Sequence, residues 1–339
     1  MSQYAAFDVS LKHAHGCVVD QDGQVVRVGR VAAEPEAMAA WLAQHAPALV
    51  GVGLETGPLA TWQGQVLQRL GVPVVCVDAR YARKVLACRP QKTDRNDARG
   101  LAELVRLGAY REVRIKREVS VRRRALLLAR SRLVAMRRDI ENQVRGILKS
   151  FGHLVGAAGG VKFAERVQLL VADDPELAAL MAPLLRLRAQ LSAEADDFAR
   201  RLVEDARHDP LCRRLTTVPG VGALTALAFV STVDDIARFR EKSAVAAWLG
   251  LVPQRYQSGE RDYTGRISRA GDRLVRALLF EAAHVLLSRV RRGCALKDWG
   301  LRLQRRIGAH KAKVAVARKL AVLLARLWQT GETFRWQAA

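Results

Sequence analysis

Apolar residues in the first eighty positions fall in short runs rather than one long span. The runs at 4–9, 16–20 and 24–31 have the length of strands, and Gln21-Asp22-Gly23 lies between the second and third. Asp-Gly between valine-rich runs predicts a tight hairpin, because glycine accepts the positive φ that such a turn demands. A helical period follows at 34–44, then an apolar run at 49–54 that ends on Glu55, a second helical stretch at 59–70 and a further strand at 72–77. Strands alternating with helices predict a mixed sheet covered on its faces.

From Asp94 onward the period turns helical. Leu126, Leu133, Ile140 and Ile147 recur every seven residues, a heptad-like seam continued loosely to Leu202 with a break at 156–160. That spacing predicts long helices packed as a coiled hairpin. A third region starts near Pro210, with a loop-rich centre at 252–269 and amphipathic helices after it. The expected organisation is an α/β domain over 1–112, a coiled-coil helical connector over 113–205 and a mainly α domain over 206–339.

Charge changes this picture from a fold to a partner. The 339 residues carry 56 Lys and Arg against 33 Asp and Glu, a formal charge of +23. Residues 111–150 hold thirteen basic side chains against four acidic ones, and 251–339 nineteen against six. Each arginine alone reads as a solvated helix face, but so dense an excess points to a polyanion. No apolar span reaches membrane-crossing length and the first residues show no signal-peptide pattern, so nucleic acid is expected and a membrane is not. Cys17, Cys76, Cys88, Cys212 and Cys294 are scattered and odd in number, with no C-x-x-C pair, which predicts a reducing cytoplasmic setting and Cys76 as a core residue.

Four carboxylates fall where an RNase H-like fold needs them. Asp8 lies inside the first strand, where a carboxylate is costly unless something cationic meets it. Glu55 closes the strand at 49–54, at the carboxyl end where open α/β sheets present ligands. Asp94 and Asp97 are three apart at a helix start and share one face. Oxygen ligands converging from separate elements suit Mg²⁺ or Mn²⁺ and phosphoryl displacement. The competing reading makes Asp94 a helix N-cap, Asp97 an ordinary first-turn acid and Glu55 a loop ion-pair partner.

Further along, Val218-Pro219-Gly220-Val221-Gly222 leads into a helix and is similar to the turn of helix–hairpin–helix modules, with Gly220 and Gly222 letting backbone amides approach a phosphate. Ser258 before Gly259 sits among Arg255, Arg261, Arg266 and Arg269, an arrangement that presents a hydroxyl beside phosphate-neutralising charge. A turn serine with no chemistry is the plain alternative. Tyr256, Tyr263, Trp328 and Trp336 are candidates for base stacking, with core packing the commoner role of the tryptophans.

Taken together, Asp8, Glu55, Lys92-Thr93-Asp94-Arg95-Asn96-Asp97-Ala98, Pro-Gly-Val-Gly, Gly-Leu-Val-Pro and Gly-Arg-Ile-Ser resemble the insertion-sequence one-ten transposases, which include pilin-inversion-type DNA invertases. The resemblance spans essentially the whole chain. It implies a RuvC-like domain with a DEDD quartet, a coiled-coil connector and a transposase domain with a catalytic serine. It further implies Asp8, Glu55, Asp94 and Asp97 as metal ligands and Ser258 as a nucleophile forming a phosphoserine link to DNA, within a dimer or tetramer guided by a structured bridge RNA. Lys92, just before the acidic pair, and Arg95, within it, join the arginines as nucleic-acid contacts. Where the family commonly has two glycines after the serine, Gly259 is followed here by Glu260, and Ser268 is the reserve nucleophile. A metal-dependent junction resolvase acting by hydrolysis, and a non-catalytic nucleic-acid-binding protein, are the competing functions.

Overall fold

The Asp-Gly hairpin sets the register of the first sheet. In a computed structural model that describes residues 1–87 and 93–336, Asp20 Oδ1 accepts hydrogen bonds from the amides of Asp22 and Gln24, both at 2.9 Å. Gly23 takes φ +84° between them. Strands β1 (Gln3–Val9), β2 (His13–Asp20) and β3 (Val25–Ala32) form the antiparallel part, and β4 (Leu49–Glu55) and β5 (Val74–Val77) add in parallel, giving the order β3-β2-β1-β4-β5. The mixed sheet expected from the sequence is therefore present, with strand ends moved by a few residues.

Alternation along each strand sorts side chains to two faces. Ala5, Phe7, Val52 and Leu54 pack with Met38, Leu42 and Leu67 of α1 (Pro35–His45) and α2 (Ala60–Arg69). Ala6, Cys17, Val19 and Val77 face Ala82 of α3 (Ala79–Leu86) and Ala98, Leu101 and Ala102 of α4 (Asp94–Arg106). Gly16 and Gly29, opposite each other on β2 and β3, leave a slot for Trp41. A Cβ on either would lie within 2.9 Å of the indole, and Trp41 meets Phe7 edge-on at 5.6 Å.

The chain divides into two compact units, Met1–Glu118 and Val119–Ala339. In the second, α5 (Glu118–Ser150) and α7 (Pro175–His208) form an antiparallel arm, with α6 (Val161–Leu170) near the tip. At its base Arg123 bonds Asp205 at 2.7 and 2.9 Å and Asp209 at 2.6 Å. Midway Arg188 bonds Glu141 at 2.9 Å, and near the tip Val144 and Leu148 pack with Phe163, Leu177 and Met181. Partners thus advance along α5 as they retreat along α7. The fully buried positions of α5 include Leu127, Val144 and Leu148, while Leu126, Leu133, Ile140 and Ile147 are only half-buried. The seam falls one residue from the expected one and its middle is polar: Arg130 Nε and Arg137 Nε are buried without a hydrogen bond among the described residues, Arg137 Nε stands 3.9 Å from Glu141 Oε1, and Glu141 pairs with Arg188.

Beyond the arm come α8 (Pro210–Leu215), α9 (Ala223–Val233), α10 (Lys242–Trp248), α11 (Arg273–Ser288), α12 (Ala295–Ile307) and α13 (Ala309–Thr330). Helix α9 is buried from Thr225 to Val233 and is the axis of the largest core, which includes Leu279, Leu286, Leu320 and Leu324. The expected loop at 252–269 is instead an antiparallel hairpin of β6 (Pro253–Ser258) and β7 (Arg261–Ile267). Its strands are polar on both faces, so no hydrophobic alternation announces them. Cys17, Cys76, Cys212 and Cys294 are buried thiols outside any disulfide. Burial pushes the Cys76 thiol up to about 11 and that of Cys212 to about 12, so both remain protonated core residues. Cys88 lies outside the described residues. Among those described, no helix is long and apolar enough to cross a membrane.

Candidate active site

Strand pairing brings Asp8 and Glu55 to one place although 46 residues separate them in sequence. β1 and β4 run parallel with Phe7 opposite Leu54, so the next residues on each strand, Asp8 and Glu55, are neighbours at the carboxyl end of the sheet. Both line a cleft of about 370 Å³ with Ser10, Thr56 and Gln63. Thr56 Oγ1 accepts from the Ala79 amide at 2.9 Å, and Gln63 Nε2 donates to the Ala33 carbonyl at 2.8 Å, which anchors the walls. Because Phe7 and Leu54 point to the α1–α2 face, alternation sends Asp8 and Glu55 toward the α4 face.

Helix α4 begins on that face. Thr93 is its N-cap, with Oγ1 accepting from the Asn96 amide at 3.2 Å. The capping task is thus done by a hydroxyl, and the reading of Asp94 as the cap is corrected. Asp94 and Asp97 lie in the first turn with their carboxylates released from that duty. Asp94 Oδ2 stands 3.5 Å from His15 Nδ1, and His15 is the β2 residue paired with Asp8. His15 is a site residue that the sequence reading missed; the signal was available in His13-Ala14-His15, whose alternation puts His15 on the face of Asp8.

The donor set of this corner, four carboxylates and no thiolate, fits a hard divalent cation such as Mg²⁺ or Mn²⁺ in its chemistry. Asp8 and Glu55 stand side by side and Asp94 reaches His15, the partner of Asp8, but among the described residues no three Asp, Glu, His or Cys side chains stand together as metal ligands. Asp94 is turned to His15 and is 68% exposed. Arg95 is exposed beside it, and Lys92 lies outside the described residues.

Ser258 ends β6 at the tip of the exposed hairpin, paired with Arg261 across the two-residue turn Gly259-Glu260. Gly259 takes φ +55°, the conformation that lets the serine precede so sharp a reversal. Tyr256 and Tyr263 stack at 5.0 Å, and Arg255 Nε donates to Asp262 Oδ1 at 2.8 Å. That hydrogen bond holds the Asp262 carboxyl below its usual range and raises the Arg255 guanidinium. Arg255 therefore already has a carboxylate partner, whereas Arg261 and Arg266 are exposed along β7 and Arg269 follows it with φ +54°. No described side chain bonds the Ser258 hydroxyl. Ser268, the reserve candidate, is half-buried, with Oγ 3.5 Å from the Ala270 amide.

Gly220 and Gly222 separate in role. A Cβ on Gly220 would come within 2.4 Å of the Ala282 carbonyl of α11, so this glycine serves close packing. Gly222 is exposed at the N-cap of α9 with open space around it. Trp328 is a core residue, edge-on to Phe229 at 6.3 Å, and Trp336 is covered by Arg292.

Two transposase family profiles match separate stretches of the chain. A profile for DEDD transposases, described as Transposase, matches residues 5–153, and one described as Transposase IS116/IS110/IS902 family matches residues 212–297. The chain is 30% identical over 326 residues to the transposase for insertion sequence element IS1111A of Coxiella burnetii, covering 94% of this chain and 87% of that protein. It is 29% identical over 285 residues to a Pseudomonas aeruginosa protein named Probable family 20 transposase, covering 80% and 82%. It is also 25% identical over 274 residues to the transposase for insertion sequence element IS1328 of Yersinia enterocolitica, covering 80% and 81%.

Proposed function

Since the chain belongs to the IS116/IS110/IS902 family of transposases, we propose that it cuts and rejoins DNA strands with two cooperating groups, the acidic corner and Ser258. Asp8, Glu55, Asp94 and Asp97 hold a divalent cation, Mg²⁺ or Mn²⁺. When bound, that ion supplies Lewis-acid stabilisation of the charge that builds on phosphate oxygens. The observation that carries the reading is the placement of Asp8 and Glu55 side by side at the end of parallel strands, on the face where α4 begins. The strand order supports an RNase H-like fold for this unit.

Ser258 Oγ attacks a DNA phosphorus. An O–P ester bond forms as the bond from phosphorus to a sugar oxygen breaks; the serine proton passes to solvent, and the departing sugar oxygen takes one up. The ester conserves the energy of the phosphodiester, so a second sugar hydroxyl reverses the step on a new strand. Arg261 and Arg266 lie on the strand beside Ser258 and supply charge to the pentacovalent phosphate. No side chain of its own hairpin hydrogen-bonds the serine hydroxyl, which supports a composite site completed in a homo-oligomer. Sequence choice is delegated to a structured guide RNA that pairs with donor and target DNA, and the +23 charge supports two polyanionic partners at once.

The test is the covalent adduct. Incubation with a labelled recombination substrate yields a denaturation-resistant protein–DNA species that Ser258→Ala does not form. Persistence of the species in Ser258→Ala overturns the serine step. The unbonded Ser258 hydroxyl favours one second reading, a junction-resolving nuclease that hydrolyses DNA with the acidic corner alone. Metal-dependent cleavage by Ser258→Ala with no adduct in the wild type selects it. RNA sequencing of the purified protein tests the guide, and absence of a discrete RNA removes it.

A further inference from the structure

Helices α10, α12 and α13 and the segment after α13 enclose a cleft of about 790 Å³ to which no role has been given. One part of its lining is apolar and aromatic, with Trp299, Val322, Leu323 and Phe334. The Phe334 wall is fixed, because its amide donates to Thr217 Oγ1 at 2.9 Å. The rest is cationic: Lys242, Arg318, Lys319, Arg326 and Arg335. Lys319 Nζ lies 3.9 Å from the Trp299 ring centroid, which brings charge and π-face together. No carboxylate lines the cleft among the described residues. Glu332, just outside it, pairs with Arg335 at 3.3 Å and Arg326 at 3.7 Å, while Lys242, Arg318 and Lys319 have no carboxylate partner among the described residues.

We propose that this cleft holds an unstacked nucleotide of single-stranded nucleic acid, the base taking the Trp299 face beside Phe334 as Lys319 moves from the ring to one flanking phosphate and Arg318 meets the other. A nucleotide carries a π-face and a negative charge within one unit, the pairing the lining presents. An acidic peptide satisfies the rim but leaves the aromatic wall unused, and a base within a duplex stack cannot enter. The volume is that of a small-ligand pocket. The inference rests on reading the chain as an enzyme of nucleic acid. It adds a grip on a displaced or looped strand on elements other than the hairpin of Ser258.

The experiment measures binding of the full chain to fluorescein-labelled (dT)12 and to an abasic 12-mer, by anisotropy across a salt series. Trp299→Leu weakens (dT)12 by about 5- to 150-fold, the range for one stacked base, and leaves the abasic strand unchanged. Arg318→Glu with Lys319→Glu, both on the exposed rim, weakens both strands at least ~10-fold and lowers the salt slope by about 1 to 2. Ser258→Ala binds as the wild type, so failure of the serine chemistry and failure of this cleft are read separately. Should Trp299→Leu not fold, photocrosslinking of 4-thiothymidine-labelled strand to the wild type substitutes, with adducts expected on α12 or at 331–336. Equal loss on both strands in Trp299→Leu, unchanged binding in the double charge reversal, or adducts confined to other segments overturns the proposal. Displacement of (dT)12 by a glutamate 12-mer at equal concentration also overturns it, in favour of an acidic-peptide site.

Discussion

The two halves of the proposed chemistry are held in opposite ways. Asp8 and Glu55 follow Phe7 and Leu54, fully buried residues on adjacent parallel strands, so strand register and core packing fix where the carboxylates stand. Ser258 rides on a two-stranded hairpin whose residues are exposed from Gln254 to Thr264 and whose order comes from one ion pair and one tyrosine stack. An isolated hairpin of this kind is marginal in water. The difference teaches that Asp8 and Glu55 are placed by the fold, while the serine is presented by a compliant element that a bound substrate can order.

The comparison breaks most sharply on activity. Asp8→Asn and Ser258→Ala are each expected to lower strand transfer by ~100-fold or more, with the thermal midpoint unchanged, as read by gel assays and calorimetry. Loss of folding in Ser258→Ala would contradict a hairpin that carries no core.

Stability separates the regions next. Phe7→Ala is expected to cost about 3–5 kcal/mol in urea unfolding, the usual cost of emptying a buried aromatic site. Tyr256→Ala on the exposed hairpin leaves the global midpoint in place and raises amide exchange at 253–267. Mn²⁺ sharpens the same contrast: it raises the melting temperature of the wild type and not of a variant combining Asp8→Asn with Asp97→Asn.

Acid has the smallest effect. Burial opposes ionisation of Asp209, but hydrogen bonds from Arg123 and the amides of Cys212 and Leu211 prevail and lower its pKa. A lowered folded-state pKa gives stability that is complete above the ordinary carboxylate range and is lost as pH falls through the lowered value. The base of the arm is therefore expected to loosen only below about pH 4, and Arg123→Met removes that acid step from the melting curve. The Asp262 carboxylate, also lowered by its arginine, keeps the hairpin pair ionised over the same range, so amide protection at 253–267 falls only in acid.

Much of the first unit was legible because its hydrophobic pattern and its structure share one cause. Asp22-Gly23, the valine runs and the acids at strand ends report burial directly. The order of Asp8, Glu55, Asp94 and Asp97 was readable, but the approach of Asp8 to Glu55 depends on β1 pairing with β4, which no local signal encodes. The hairpin of β6 and β7 was hidden because its order comes from cross-strand pairs, Arg255 with Asp262 and Tyr256 with Tyr263, rather than from burial. The arm was read one residue out of phase for the same reason: Arg130, Arg137 and Glu141 hold seam positions and are invisible to a search for apolar residues. Helix α3 went unseen because, outside its Asp78 cap, it buries only Ala82.

That polar seam makes the arm a gauge rather than a spring. A coiled pair lined only with leucine can slip by a turn and find similar contacts. Here such a slip would carry Arg188 away from Glu141, a cost set at one layer for axial movement anywhere along the rod. At roughly 1.5 Å per residue, the 33 residues of α5 make a strut on the order of 50 Å whose length is locked. Axial movement at its tip therefore has to be carried by both helices together.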